Sequence, residues 1–247
     1  MATILIPPRT AHLWCASPPE ITDPGLLSLY ASLMTPEERD IEARFHFAKH
    51  RHTHRITRAL ARTVLSGYLG VAPASLRFEP GPWGRPEITG PVKTSLSWNL
   101  AHTDGLVVLL VADGCTVGVD VEDAVHRRAP LDVAEHQFAA SEVAELRSLP
   151  PERQPRRFFD YWTLKESYIK ARGMGLAIPL SDFAFDPRGP GAPTIAFHGI
   201  DDRPEDWQFA LLQPTEAHLV AAALQRGRGP DWTIEVRRVV PLFSASP

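Results

Sequence analysis

The stretch that most constrains this chain is residues 156–172, which contain no proline or glycine and are followed by Gly173. A run of this length with a glycine after it predicts an α-helix with a C-terminal stop. Glu166 and Lys170 are four residues apart, so both side chains lie on one face of that helix. Such a pair is typical either of a surface ion pair or of a carboxylate and an ammonium at the rim of a site.

The composition is that of an ordinary globular protein and excludes several classes of function. The 247 residues suffice for one large domain or two small ones, and 44% of them are hydrophobic. A formal net charge of -3 gives no overall attraction to nucleic acid or to an anionic membrane. No stretch has the length of a membrane span, and the first residues lack a signal-peptide pattern. We therefore expect a cytoplasmic protein with no nucleic-acid or membrane partner.

The first part of the chain combines a strand-like start with a long helical region. Residues 1–33 predict a strand and a loop. The sequence Thr-Pro-Glu-Glu at 35–38 has the pattern of a capping box, so a helix is expected to begin there. Helical sequence continues to Gly67 or Gly70, with a break expected near residues 45–47.

A row of arginines marks this helical region. Between positions 43 and 78 the chain has seven Lys or Arg residues and no Asp or Glu. The row predicts either a solvated helix face or a surface turned toward an anion or an acidic partner. Its members recur at helical spacing: Arg51, Arg55, Arg58 and Arg62.

Apolar runs predict the strands, and their order suggests a repeat. The predicted strands are 93–98, 106–112, 116–122, 207–212, 218–224 and 232–240. The turn at Asp113-Gly114 predicts a hairpin between the second and third of them. Segments 97–112 and 209–224 each have a polar turn leading into a strand of small apolar residues, and each follows a helix. This similarity hints at an internal duplication.

A second acidic stretch, GVDVE at 118–122, changes the interpretation of the helical pair. Asp120 and Glu122 are two residues apart on a predicted strand, so both point to one face. The face is either an exposed polar edge or a site where a hard cation such as Mg²⁺ relieves the repulsion. Together with Glu166 and Lys170 the acids form a set suited to phosphate chemistry, in which carboxylates hold a metal and a lysine neutralises developing charge.

The segments GVDVE and WTLKESYIKARGMGL resemble the two signatures of the 4'-phosphopantetheinyl transferase superfamily, G-[IV]-D-x-E and W-x-x-K-E-[AS]-x-x-K. The chain length resembles the larger, monomeric Sfp-like branch. Residues 84–86 (GRP), 99–102 (NLAH) and 138–142 (FAASE) resemble further family stretches. In the second of these, Ala101 replaces a hydroxyl residue of the family pattern.

The resemblance implies a reaction and its catalytic residues. A serine of an apo acyl or peptidyl carrier protein attacks the β-phosphate of coenzyme A. The phosphopantetheine arm moves to the serine, and adenosine 3',5'-bisphosphate leaves. By motif position Asp120, Glu122 and Glu166 would bind Mg²⁺, and Glu166 would also act as the base, directly or through water. Lys170 would stabilise or protonate the leaving oxygen.

The resemblance also implies contacts with coenzyme A. Basic residues that the family places on the first helix align poorly here, because Glu38 and Ile41 occupy those positions. Neighbouring basic residues are therefore candidates for that role. The expected contacts with coenzyme A are Arg85, His102, Lys165, Arg44 and Lys49.

The implied architecture is an α+β protein of two similar α/β halves related by a pseudo-twofold axis, with the active site in the cleft between them. The halves are expected at 1–113, for coenzyme A and carrier contacts, and 114–247, for metal and catalytic residues. Two other functions remain open, a Mg-dependent phosphohydrolase acting on a nucleotide-like pyrophosphate and a non-catalytic carrier-binding module. The intact acidic patterns favour an enzyme over the module, and consumption of coenzyme A without a carrier would identify the hydrolase.

Overall fold

The computed structural model describes residues 3–188 and 191–242. Within this part of the chain, no helix is long and apolar enough to cross a bilayer. Its helices are α1 (Pro24–Leu33), α2 (Pro36–Arg44), α3 (Ala48–Leu69), α4 (Leu131–Gln137), α5 (Ala140–Ser148) and α6 (Gln154–Arg172). Its strands are β1 (Thr10–Ala16), β2 (Arg77–Pro80), β3 (Pro86–Gly90), β4 (Leu96–Thr103), β5 (Leu106–Asp113), β6 (Thr116–Asp123), β7 (Phe183–Asp186), β8 (Thr194–Phe197), β9 (Gln208–Leu212), β10 (His218–Gln225) and β11 (Thr233–Arg238).

Two main sheets share one strand arrangement. The first has the order β1-β5-β4 and the second β6-β10-β9, with antiparallel pairing throughout, and β11 joins the first sheet parallel to β1. Each half follows the same chain order of one strand, two short helices, one long helix, a small hairpin and a pair of strands. The fold is therefore α+β with two similar halves, and the segments 97–112 and 209–224 form the equivalent strand pairs β4–β5 and β9–β10 in them. The division of roles between 1–113 and 114–247 stays a prediction.

The predicted hairpin at Asp113-Gly114 is wrong. Strand β5 pairs with β4 through the turn at Asp104-Gly105, and its other edge pairs with β1, so β6 finds no free edge there. Strand β6 pairs instead with β10 of the second sheet. Strand β4 also extends to Thr103, beyond the predicted end at position 98, so the NLAH stretch lies inside a strand.

The predicted helix start and break are confirmed. The Thr35 hydroxyl accepts a hydrogen bond from the Glu38 N–H at 3.2 Å, and the Thr35 N–H donates to Glu38 Oε2 at 3.0 Å. Residues 45–47 separate α2 from α3, and α3 ends at Gly70 in the left-handed conformation.

Helix α1 forms where a loop was predicted, so that prediction is wrong. Asp23 Oδ1 accepts a hydrogen bond from the Leu26 N–H at 2.7 Å, and Pro24 occupies the first helical turn. The apolar stripe of this helix is weak, because Tyr30 is its one fully buried residue among those described. The sequence therefore indicates this helix through its capping residues, Asp23 and Pro24, and not through a periodic pattern of apolar residues.

The arginine row is largely turned inward against α2. Arg62 is 1% exposed, and its Nη2 lies 2.9 Å from Glu38 Oε2. Arg55 Nε donates to Glu42 Oε1 at 3.1 Å. The expectation of a row facing solvent or an acidic partner is wrong for these two arginines, because a neighbouring helix supplies the missing acids. Arg58 Nη1 lies 3.8 Å from Glu38 Oε1, and the side chain of Arg58 also lines the cavity described below.

Candidate active site

Strand β6 and helix α6 carry the predicted acidic residues and pack against each other at Gly118. A Cβ at this position would clash with the backbone oxygen of Ser167 and the backbone nitrogen of Ala171, so only glycine fits. These two helix residues directly follow Glu166 and Lys170 in sequence. The close approach therefore brings the acids of the strand and those of the helix to one place.

An ion pair joins the two elements. Lys170 Nζ lies 2.5 Å from Asp120 Oδ1. Asp120 is 6% exposed, and among the described residues its Oδ2 has no hydrogen-bond partner. Burial raises the pKa of Asp120, while the charge of Lys170 opposes that shift. An unpartnered buried carboxylate oxygen is costly, so Asp120 presents one oxygen that a ligand could satisfy.

Glu122 and Glu166 share the electrostatic environment of Asp120. Glu122 is buried and pairs with Arg127, which lies on the exposed segment after β6. Burial raises the pKa of both glutamates, and the negative charge of Asp120 raises each of them further. The three carboxylates therefore repel one another, and a proton or a cation stabilises the group.

The carboxylates are balanced here by cations of the protein. In the described part of the chain, no three His, Cys, Asp or Glu side chains form a group that could hold a metal ion. Lys170 and Arg127 contact Asp120 and Glu122 instead. The donor chemistry still fits a hard cation such as Mg²⁺, because the oxygens are carboxylates that repel one another, and one oxygen of Asp120 has no partner within residues 3–188 and 191–242.

A basic cavity of about 520 Å³ lies between α3 and β4. Among the lining residues Asp104 is the one acid, and Arg58 Nε is buried without a hydrogen-bond partner among the described residues. The basic side chains of the lining are Lys49, His50, His54, Arg58, Arg85 and His102. Lys49, Arg58 and Arg85 give the lining more positive than negative charge, which is suited to a ligand with several phosphate groups.

His102 connects the cavity with the acidic residues. Its ring is reached by solvent from the cavity, yet the protein around it still desolvates it and lowers its pKa. The charge of Lys170 lowers the pKa of His102 further, so the two side chains are electrostatically coupled. Arg85 also lines the cavity and donates to the backbone oxygen of Lys170 at 3.3 Å, so the cavity adjoins the helix that carries Glu166 and Lys170.

Lys165 lies in the interior rather than at this site. It is fully buried, and its Nζ lies 2.8 Å from Glu142 Oε2 and 2.7 Å from each of the backbone oxygens of Leu180 and Phe183. All three donors of the ammonium are thus occupied. This position does not support the predicted contact with coenzyme A, and it assigns Lys165 to stabilisation of the second half.

The remaining predicted contacts divide into two groups. Arg85 and Lys49 line the cavity, and Lys49 Nζ lies 2.9 Å from Asp104 Oδ2. Arg44 is exposed at the end of α2 and is not part of the cavity lining. The cavity therefore brings together Arg85, Lys49 and His102, and Arg44 lies apart.

Sequence reasoning missed the residues that join β4 to β6. Asn99 Oδ1 accepts a hydrogen bond from the Val119 N–H at 2.8 Å, and Ser97 Oγ accepts one from the Val117 N–H at 3.1 Å. These side chains take the place of a backbone ladder between the two sheets. Polar residues alternating along an apolar strand were the available signal.

Comparison with known proteins agrees with this geometry. The model of the 4'-phosphopantetheinyl transferase superfamily matches residues 116–223, which include both β6 and α6. The 4'-phosphopantetheinyl transferase HetI of Nostoc sp. is 32% identical over 183 residues, which cover 67% of this chain and 77% of that relative. The chain belongs to the 4'-phosphopantetheinyl transferase superfamily. The predicted family and enzyme class are thereby confirmed.

Other members of the superfamily show more distant similarity. The 4'-phosphopantetheinyl transferase Sfp of Bacillus subtilis is 28% identical over 155 residues, which cover 63% of this chain and 67% of that protein. The crystal structure of the holo-[acyl-carrier-protein] synthase of Thermotoga maritima aligns with a TM-score of 0.37 and 23% identity. That alignment covers 46% of this chain and 64% of the synthase.

Proposed function

We propose that this 4'-phosphopantetheinyl transferase moves the phosphopantetheine arm of coenzyme A to a serine of an apo acyl or peptidyl carrier protein. Adenosine 3',5'-bisphosphate is the second product. The observation that carries the proposal is the ion pair of buried Asp120 with half-buried Lys170, which leaves one carboxylate oxygen unpartnered among the described residues and lies next to a basic cavity.

Coenzyme A is the substrate that suits the cavity. Its phosphate groups are negatively charged, and the lining has Arg58, whose buried Nε has no hydrogen-bond partner in the part of the chain that the structure describes. A guanidinium N–H without a partner is favourably satisfied by a phosphate oxygen. The phosphates would lie in the cavity, with the reacting phosphate toward the carboxylates.

Two residues of α6 would carry out the proton and charge steps. Glu166 would act as the base that accepts the proton of the serine hydroxyl, directly or through water. The ammonium of Lys170 would stabilise the negative charge that develops on the leaving oxygen.

Asp120, Glu122 and Glu166 would hold Mg²⁺. When bound, the ion supplies positive charge to the phosphate oxygens. Lys170 and Arg127 now balance two of these carboxylates, so the ion must compete with cations of the protein. We expect Mg²⁺ to bind weakly alone and more tightly with coenzyme A, and linkage requires the converse.

We also propose that the enzyme is a cytoplasmic monomer. One chain supplies both the cavity residues of the first half and the carboxylates of the second, which supports a site complete in a single copy. Cys15 and Cys115 are free thiols, which suits a reducing compartment.

Intact mass spectrometry tests the proposal. Several apo carriers are incubated with the protein, coenzyme A and Mg²⁺, and the expected result is a mass increase of one phosphopantetheine on a carrier. A carrier whose acceptor serine is replaced by alanine and the Asp120→Asn enzyme should both show no increase. Consumption of coenzyme A without any carrier would identify a hydrolase, and carrier binding with coenzyme A intact would identify a binding module.

A further inference from the structure

Arg85 lies in the turn between β2 and β3 and bonds to three other elements of the fold. Its Nη1 donates to the backbone oxygens of Lys170 at 3.3 Å and Ala171 at 3.0 Å. Its Nη2 donates to the backbone oxygens of Trp98 at 2.9 Å and Val117 at 3.1 Å. The guanidinium therefore contacts α6, β4 and β6 at once, and both of its Nη atoms are engaged with the protein.

The two bonds to α6 meet a need of that helix. The last four carbonyl groups of an α-helix have no partner within the helix, and Lys170 and Ala171 belong to the last turn of α6. A cation at this end also offsets the negative pole of the helix dipole. Desolvation lowers the pKa of Arg85, so its buried charge depends on these carbonyl acceptors.

Ser97 extends the same connection. Its Oγ accepts hydrogen bonds from Arg85 Nη2 at 3.3 Å and from the Val117 N–H at 3.1 Å. Arg85 and Ser97 together hold the end of α6, the start of β4 and the start of β6 in one hydrogen-bonded group. Asp120 lies three residues after Val117, so this group adjoins the catalytic pair.

We propose that Arg85 is a positioning residue for Lys170, and that the GRP turn serves this purpose in place of the expected contact with a coenzyme A phosphate. Lys170 is held at both ends, its carbonyl by Arg85 and its ammonium by Asp120. The guanidinium thereby fixes the last turn of α6, from which the ammonium meets the carboxylate. The inference rests on the proposed role of Lys170 in phosphopantetheine transfer.

The Arg85→Lys variant provides the main test. Lysine keeps the charge but lacks the planar fork that contacts several carbonyls at once. We expect turnover at saturating coenzyme A to fall about tenfold or more, because small displacements of a catalytic group are costly. The Kd for coenzyme A, measured by calorimetry, should change less than about threefold, since ground-state binding is not the function assigned to Arg85.

Two further variants make the test specific. Ser97→Ala removes one acceptor and leaves the charge in place, so it should give the same pattern with a smaller change. Arg77→Lys is the matched control, because Arg77 lies on β2 and bonds to the backbone oxygens of Ala74 and Leu76, away from α6. It should leave turnover, the Kd for coenzyme A and amide exchange unchanged.

Hydrogen exchange gives a readout that does not depend on transfer. Without coenzyme A or metal, Arg85→Lys should speed amide exchange in residues 168–173 and in β6. Weaker coenzyme A binding with unchanged turnover and exchange would overturn the positioning role. If the wild-type protein modifies no carrier but Arg85→Lys still speeds this exchange, the proposed function fails while the contact of Arg85 with α6 stands.

Discussion

Two lysines on α6, five residues apart, each meet a buried carboxylate, and the two pairs differ in how completely they are satisfied. Lys165 is fully buried against Glu142 and fills its remaining donors with backbone oxygens. Both oxygens of Glu142 also accept backbone N–H groups, from Ala139 at 3.0 Å and Phe185 at 2.8 Å. Every N–H donor of Lys165 and both oxygens of Glu142 are therefore satisfied within the protein.

The second pair is incomplete. The side chain of Lys170 is 29% exposed, and Asp120 keeps one oxygen without a partner among the described residues. Full satisfaction makes a buried polar group rigid, whereas an open position leaves it able to bind something else. The comparison teaches that the number of remaining donors and acceptors, more than burial, separates the stabilising pair from the candidate catalytic pair.

The largest effect is expected from breaking the satisfied pair. Lys165→Met leaves Glu142 buried without its cation, so the free energy of unfolding should fall by about 3–5 kcal/mol. Denaturant unfolding measures it. Arg147→Met breaks an ion pair between exposed side chains, Arg147 and Glu135, and should leave the denaturation midpoint unchanged. Equal stability of the two variants would contradict the structural role of Lys165.

Removing the other lysine should affect catalysis more than stability. Lys170→Met should lower turnover about 100-fold or more, because the charge acts on the developing negative oxygen of the transition state. The free energy of unfolding should change less than in Lys165→Met, since Lys170 is partly solvated. Steady-state kinetics with a carrier substrate and denaturant unfolding check the two halves of this prediction. A large loss of stability without a loss of turnover would exchange the roles of the two lysines.

Asp120 and Glu142 should also differ in their influence on the pKa values of the other carboxyl groups of the site. Asp120→Asn should lower the pKa of Glu122 and Glu166 in the metal-free protein, because the charge of Asp120 raises both. Carboxyl carbon NMR titration measures these values, with Glu142→Gln as the comparison that leaves them unchanged.

The pH dependence of the free energy of unfolding is a second test of the interaction among Asp120, Glu122 and Glu166. A pKa raised by folding means that the native state holds its protons longer, so stability is lost as pH rises through the raised values. Asp120→Asn should therefore weaken the loss of stability above the ordinary pKa of a glutamate. An unchanged pH dependence would mean that the three carboxylates do not interact.

The smallest effect is expected from replacing the satisfied pair as a whole. The double variant Glu142→Leu with Lys165→Met leaves no buried charge, so it should recover about 1–3 kcal/mol relative to Lys165→Met alone. Full recovery is not expected, because the backbone groups that bonded to this pair lose their partners. Denaturant unfolding of both variants decides it, and a double variant less stable than the single one would contradict this reasoning.

Local signals in the sequence were sufficient for the main elements of the site. The capping box at 35–38 predicted the start of α2, and the glycine after α6 predicted the end of that helix, because both signals involve only nearby residues. Asp120 and Glu122 share a strand face because of the two-residue period, and both lie at the site. The pairing of Lys170 with Asp120 across 50 residues of chain was not given by spacing, since it depends on the packing of α6 on β6.

The errors on the hairpin, the arginine row and Lys165 concern partners that are distant in sequence. Both Asp-Gly turns carry the same local signal, and only the neighbours of β5 show which one forms a hairpin. The arginine row appeared unbalanced because its acids, Glu38 and Glu42, lie outside the stretch that was counted. Lys165 belongs to a catalytic signature in sequence, yet its side chain leaves the helix on the side that faces the core.

The main-chain contact at Gly118 determines how well the geometry of the site tolerates substitutions nearby. The separation of β6 and α6 there is set by main-chain atoms, which substitutions elsewhere on the two elements do not replace. Substitution of side chains around the site should therefore leave the spacing between the strand carboxylates and the helix residues nearly unchanged. The absence of a side chain at Gly118 thus sets the distance between β6 and α6 on which the candidate active site depends.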